Sequence, residues 1–397
     1  MSDISIPNFR FKKYTNNLVK AKLSKIATFN PKSSLPENFK YIDLESVLGT
    51  ELVSCREETR ESAPSRAQRV AQKGDVFYQM VRPYQKNNYL FDLNENNYVF
   101  STGYAQLRPK VDSSFLLARL QEEGFVNKVI ERCTGTSYPA INSKDLSRIS
   151  ITIPEDLEEQ SAIGSLFRTL DDLLVSYKDN LANYQSFKAT MLSKLFPKAG
   201  QTVPEIRLDG FERKWEKKKL IDLVSPVSRK VKKPSDPYYR LSIRSHAKGT
   251  FKQFVDDPKK IAMDNLFEVK ENDLVVNITF AWEHAIAVAS KEDDGLLVSH
   301  RFPTYVIDKS DKNFINIYIK REEFRQKMDL LSPGGAGRNR VLNVKDFINI
   351  QMIVPELEEQ QAIGAYFSNL DNLIDAHQEK ITQLETLKKK LLQDMFI

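Results

Sequence analysis

The stretch Leu357–Ile374 reads LEEQQAIGAYFSNLDNLI, and a near copy, LEEQSAIGSLFRTLDDLL, occupies Leu157–Leu174. Displacing the chain by 200 residues superposes Leu157–Phe196 on Leu357–Phe396, with 14 of 40 positions identical. A duplicated unit is the economical explanation. In the second copy an apolar row runs through Ile363, Phe367, Leu370, Ile374, His377, Ile381 and Leu384 to Lys388, Leu391 and Met395. In the first it runs through Ile163, Phe167, Leu170, Leu174, Tyr177, Leu181 and Tyr184 to Lys188, Met191 and Leu195. Both rows step alternately by four and three, which is the seam of a coiled coil rather than the wider stripe of an isolated surface helix.

Pro154 and Pro355 stand at the entries, acidic first turns follow, and lysines gather near the ends, as the helix dipole favours. Each copy therefore reads as a helix of about forty residues, roughly 60 Å long. Two such seams in one chain most simply pair with each other. An antiparallel pairing that uses every seam position sets Ile163 against Met395, Leu170 against Lys388 and Tyr177 against Ile381. It also brings Lys388 to Asp171 and Lys188 to Asp371, so polar seam residues would fix the register. A slip of one heptad is the main rival.

Charge alternates along the chain. Residues 1–153 carry 22 Lys+Arg against 16 Asp+Glu and residues 201–353 carry 28 against 22, whereas 154–200 carry 5 against 7 and 354–397 carry 4 against 8. Two basic bodies thus alternate with two acidic connectors within 397 residues of net charge +6. Cys55 and Cys133 cannot form a disulfide framework. MSDISIPNFRFKK lacks an apolar signal core, and the run from Leu274 is broken by Glu283 and His284, so a cytoplasmic protein is expected.

The fold class expected is α+β: two mixed α/β domains, separated by two long helices that form an antiparallel coiled coil, in a pseudo-two-fold internal repeat. The boundaries are 1–153 for the first body, 154–196 for the central helix, 197–204 for a Pro/Gly linker, 205–353 for the second body and 354–397 for the last helix. YIDLESV and GDVFYQMV in the first body, and YYRLSI and NDLVVNITFAW in the second, read as strands. LVKAKL parallels WEKKKL, with Leu18 at the place of Trp215, and INSKDLSRISITIPE matches LNVKDFINIQMIVPE.

The bodies have diverged far more than the helices, which suits two modules that recognise different things. Basic, polar and aromatic residues are interleaved in both, as in a surface that meets DNA phosphates and base edges. In the first body the candidates are Tyr78, Gln79, Arg82, Tyr84, Lys86, Asn87 and the loop Thr134, Gly135, Thr136, Ser137 and Tyr138. In the second they are Asn277, Thr279, Trp282, His300, Arg301 and the loop Gly335, Gly337, Arg338, Asn339 and Arg340. No catalytic constellation emerges. SDPYYR at Ser235 lacks the second proline of an amino-methyltransferase motif, SPGGAGRNR lacks a P-loop lysine, and the four histidines show no metal-ligand spacing.

PEDLEEQSAIGSLFRTLD and PELEEQQAIGAYFSNLD, with GF-x-x-x-W ending at Trp215 and GDVF with VRPY in the first body, resemble the specificity subunit of type I restriction-modification systems over essentially the whole chain. Two departures are an extra residue, Asp156, and Leu18 where the family has Trp. The resemblance implies a non-catalytic chain of bacterial or archaeal cytoplasm with two target recognition domains. Each would read half of a split double-stranded DNA site, with the helices setting the spacer. It implies as partners two modification (methyltransferase) subunits that use S-adenosylmethionine, and restriction (translocase/nuclease) subunits that use ATP and Mg²⁺, with no cofactor on this chain. A coiled-coil adaptor whose bodies bind proteins is the alternative, and an autonomous methyltransferase a weaker one.

Overall fold

The computed structural model describes residues 7–198, 200–332 and 340–396. They form two compact units, one of Met1–Leu181 with His377–Ile397 and one of Ala182–Ala376. The sequence boundaries place each helix in a segment of its own. The units instead divide both long helices, Leu157–Lys194 and Leu357–Met395, so that each body keeps the start of the helix that follows it and the end of the other.

In the first unit, strand Leu18–Lys22 pairs antiparallel with Ser150–Pro154 and closes the body at the foot of the first long helix. One sheet has the order Arg56–Thr59, Asn38–Ile42, Tyr98–Ser101, Ala67–Val70, in which Tyr98–Ser101 runs parallel to Asn38–Ile42. A second, antiparallel sheet has the order Ala27–Phe29, Tyr104–Pro109, Val76–Gln79, Tyr89–Leu90. The second unit repeats the plan. Glu216–Lys219 pairs with Gln351–Val354, and Tyr238–Ile243 is parallel to Leu297–Val298 and antiparallel to Thr250–Val255. NDLVVNITFAW is only half strand: Asp273–Val276 is extended, but Ala281–Glu283 is a 3₁₀ turn.

The strand Val76–Gln79 and its counterpart Asp273–Val276 start from the same device. Gly74 and Asn272 take positive φ (+91° and +68°), and the next residue is a buried aspartate. Asp75 accepts from Arg108 Nε at 2.9 Å, and Asp273 from Arg229 Nη2 at 3.1 Å, which satisfies a carboxylate that could not otherwise be buried.

The duplicated phrase is where each body is fastened to its helix. Glu159 and Glu359 are each 1% exposed. Arg10 Nε donates to Glu159 Oε1 at 2.6 Å, and Arg207 Nε donates to Glu359 Oε1 at 2.8 Å. Gln160 Oε1 accepts from Asp112 N (3.1 Å) while its amide donates to Pro154 O (2.8 Å); Gln360 does the same with Asp311 N (3.2 Å) and Pro355 O (2.9 Å). Asp112 and Asp311 are themselves N-caps, accepting from Phe115 N and Phe314 N at 2.8 Å. A Cβ on Gly164 would stand 2.5 Å from Asp112 Oδ1, and one on Gly364 would stand 2.3 Å from Asp311 Oδ1. The Glu, Gln and Gly of E-Q-x-A-I-G thus each have a contact.

The seam shares the cores of the bodies. Ile163, Phe167, Leu170 and Leu174 join Ile381, Leu384 and Met395 in the first core, and Leu195 and Phe196 join Ile363 and Phe367 in the second. Lys388 contacts Asp171 within the first unit and Lys188 contacts Asp371 within the second, contacts that a one-heptad slip would break. Tyr177, Leu181, Tyr184, Ile374 and His377 are only half buried, with the Tyr177 and His377 rings 5.2 Å apart.

Trp215 and Leu18 also find an explanation. Trp215 is buried edge-on to Phe196 at 5.7 Å and, with half-buried Leu208, packs in the second core. In the first unit the aromatic and aliphatic members are exchanged: Phe11 and Leu18 face Phe115 and Phe396 across one small cavity. No helix among the described residues is long and apolar enough to cross a membrane.

Replacing Gly164 or Gly364 with alanine should lower stability by about 1–3 kcal/mol by driving a methyl into the capping aspartate. Thermal unfolding of each single variant against wild type checks this.

Candidate nucleic-acid interface

In the first unit two loops are brought side by side. The strand Val76–Gln79 runs into a 3₁₀ turn at Pro83–Gln85, flanked by Arg82 (φ +53°) and Lys86 (φ +56°) in the left-handed region. The loop Thr134–Ala140, closed by Thr134 N to Ala140 O at 2.9 Å, lies against it through Arg82 N to Pro139 O (2.7 Å) and Ile141 N to Met80 O (3.0 Å). Gly135 takes φ +87°, where a Cβ would approach Tyr138 O at 3.1 Å. A short helix, Ser143–Ser147, capped by Asn142, lies between this loop and the returning strand.

The second unit carries the same arrangement. Ala281–Glu283 forms the 3₁₀ turn, Leu342 N reaches Ile278 O at 2.9 Å as Ile141 N reaches Met80 O, and Asn343 caps Val344–Phe347. Ile278 N donates to Arg301 O (3.1 Å) just as Met80 N donates to Gly103 O (2.9 Å), which adds the Ser299–Arg301 turn to this face.

The sequence candidates separate by exposure. In the first unit Tyr84, Thr134, Gly135, Thr136, Ser137 and Tyr138 are exposed, and Arg82, Lys86 and Asn87 half buried. Lys86 Nζ is held by Glu123 at 2.6 Å, and Asn87 Oδ1 accepts from Gly49 N at 2.9 Å. Arg82 lies over the Tyr138 ring, 4.3 Å from its centroid. In the second unit His300 and Arg301 are exposed, and Thr279, Trp282 and Arg340 half buried.

Four candidates need correction. Tyr78 is fully buried, edge-on to Phe125 at 5.8 Å, and burial pushes its phenol well above the usual range. Gln79 is 1% exposed and organises the turn, donating to Val81 O (2.6 Å) and Gln85 Oε1 (2.9 Å). Asn277 is its buried counterpart, accepting from Thr279 N at 3.1 Å. All three are buried where a strand ends, and in Val76–Gln79 both faces of the strand are covered. Arg340 is solvent-accessible yet committed: it donates to Ser332 O (2.8 Å) and Asp329 Oδ1 (2.7 Å) and stacks 5.5 Å from Trp282. Gly335, Gly337, Arg338 and Asn339 lie outside the described residues.

Phe280, 46% exposed beside the turn, was missed, although an aromatic flanking an A-W-E-H turn was a usable signal. His284, by contrast, is a structural residue of the turn: it is buried at φ +63°, with Nε2 2.6 Å from Ile319 O. Among the described residues no group of three or more His, Cys, Asp or Glu side chains could hold a metal ion.

Two like bodies with corresponding loop faces on a duplicated helical clasp define a two-module recognition protein. Residues 52–183 and 212–386 match the family model of the type I restriction modification DNA specificity domain, and the chain belongs to that family. It is 24% identical over 338 residues to the type I restriction enzyme MjaVIII specificity subunit of Methanocaldococcus jannaschii, covering 81% of this chain and 73% of that one. The HindI specificity subunit of Haemophilus influenzae is 30% identical over 141 residues, 34% of this chain and 30% of its own. The fold resembles the crystallised S subunit of a type I system from M. genitalium, with a TM-score of 0.60, 13% identity and 99% of both chains covered. The chain is thus a DNA-specificity subunit of the type I class, and the adaptor reading is set aside.

Tyr78→Phe should leave DNA binding unchanged and stability unchanged or slightly raised, because its buried hydroxyl has no hydrogen-bond partner among the described residues. Tyr84→Ala, on the exposed turn, should weaken binding; gel-shift titration with the assembled complex and thermal melts separate the two. Burial also holds the His284 imidazole below its ordinary value of 6.5, so it stays neutral when folded and gains a proton on unfolding in mild acid. Stability from this site is present above about pH 6.5 and is lost as pH falls below it. Calorimetry between pH 7.5 and 5.5 should show a smaller loss of Tm in His284→Asn than in wild type.

Proposed function

We propose that the two bodies read the two halves of a bipartite, asymmetric double-stranded DNA site, and that the paired helices fix the unread spacer and receive two modification subunits. The observation that carries this reading is the recurrence of one loop face with different side chains: Arg82, Tyr84 and the Thr134–Tyr138 loop in one unit, Thr279, Phe280, Trp282, His300 and Arg301 in the other. Equal scaffolds with unlike faces suit one task performed on two sequences. Phosphate contacts would supply salt-dependent affinity, and side chains in the groove would supply choice.

A second observation supports the paired partners. Off the seam, Leu173 and Leu387 in the first unit are 41% and 44% exposed, and Phe187 and Leu373 in the second are 49% and 45% exposed. Leu173 and Leu373 are equivalent positions of the duplicated helix, as are Phe187 and Leu387. Each unit therefore offers exposed long apolar side chains from both helices, with Leu157 and Leu357 at the helix starts adding to the set, a repeat that suits two copies of one protein partner. On this reading S-adenosylmethionine binds the modification subunits, ATP and Mg²⁺ bind restriction subunits where these are present, and this chain binds no cofactor.

Inserting one heptad after Tyr177 and a matching heptad after Lys380 preserves the seam and adds about 10 Å of helix. Genome-wide mapping of methylated adenines should then show both half-sites unchanged and the spacer longer by about three base pairs, at 3.4 Å each. Altered half-sites with an unchanged spacer would contradict the reading.

A further inference from the structure

Arginine is the side chain best suited to guanine, because its planar fork donates two parallel N–H groups to O6 and N7 in the major groove. An arginine can do this only if its in-plane donors are uncommitted and its position is fixed. Few cations on the two loop faces meet both conditions. Lys86 is held by Glu123, and Arg340 donates to Ser332 O and Asp329.

Arg82 meets both. Its backbone is held in the left-handed region at φ +53°, a conformation costly for a residue with a side chain, by the bond from its N–H to Pro139 O at 2.7 Å. Its guanidinium is 4.3 Å from the centroid of Tyr138, which is 64% exposed. A cation held over a ring face is attracted by the ring's charge distribution and needs no N–H acceptor there. Among the described residues no side chain or carbonyl accepts from the Arg82 side chain. In the second unit the corresponding cation is Arg301. It is exposed at the tip of the Ser299–Arg301 turn, which is fixed by Arg301 N to Ser299 Oγ (3.2 Å) and Ile278 N to Arg301 O (3.1 Å). Its side chain likewise has no acceptor among the described residues.

The two arginines occupy non-equivalent places. Aligning Asp75 with Asp273 sets Arg82 at Phe280 and Arg301 at Gly103. Gly103 is buried against Leu44, whose Cδ2 would lie 2.9 Å from an added Cβ, so a side chain there would have to displace that of Leu44.

We propose that Arg82 and Arg301 are the guanine-reading residues of the first and second bodies, each from a different loop of the shared face. The assignment rests on the DNA-reading function above and adds its chemistry: each half-site contains a guanine read bidentately, by one arginine each. The unlike placement means that the guanine falls at a different point of the footprint in each half.

The test uses the complex with its modification subunits on the bipartite duplex found by methylation mapping, with each guanine replaced in turn by 7-deazaguanine, which removes N7. Wild type should lose roughly tenfold or more in affinity at one guanine in each half. Arg82→Ala should abolish that sensitivity in one half only and Arg301→Ala in the other half only, with melts like wild type. Arg82→Lys should keep affinity for unrelated duplex while losing the discrimination, because it keeps charge without the fork. A half-site without guanine, undiminished 7-deazaguanine sensitivity in Arg82→Ala, or equal weakening on every sequence would overturn the assignment while leaving the two-half reading intact. A wild-type complex with no bipartite preference would overturn both.

Discussion

A carboxylate buried at the first turn of each long helix organises everything else. Glu159 and Glu359 are 1% exposed, so each needs a fixed cation, and Arg10 and Arg207 supply it from the N-terminal ends of the bodies. Removing one partner of such a pair leaves an uncompensated charge, which costs about 3–5 kcal/mol where burial is complete. Gln160 and Gln360 then hold the capping aspartates of the first body helices, and Gly164 and Gly364 give those aspartates room. The start of a long helix is in this way both a coiled-coil element and the base of a recognition body.

Antiparallel pairing follows from the same junction. The body that receives the start of one helix also receives the end of the other: Phe396 packs against Phe115 and Phe167 in the first unit, and Phe196 against Trp215 and Phe314 in the second. The Lys–Asp contacts at 388–171 and 188–371 select the register. These half-buried pairs contribute modest stability by themselves, but a cation without its acid would mark a slipped seam.

Period and charge made the architecture legible. The four–three spacing identified the helices, the duplicated Lys and Asp positions identified their register, and the alternation of basic and acidic segments identified bodies and connectors. The fastening contacts were not legible. Glu159 and Gln160 look like ordinary acidic residues of a helix start, and only their burial shows that they face Arg10 and Asp112. Exposure on the candidate face was legible for stretches of sequence but not for individual residues. Tyr78 and Gln79 adjoin Arg82 in sequence, yet both are buried where a strand ends, while the 3₁₀ turn brings Arg82 and Tyr84 out. Composition cannot distinguish these, because the change from strand to turn falls between them.

The proposed division of labour puts specificity in unlike loops and geometry in like helices. Exchanging residues 208–353 of the second body for those of a relative, while keeping both helices and the Arg207–Glu359 contact, tests it most directly. Methylated sites mapped in cells carrying the chimera should change in one half only, with the other half and the spacer retained. A change in both halves, or in the spacer with the halves retained, would contradict the account.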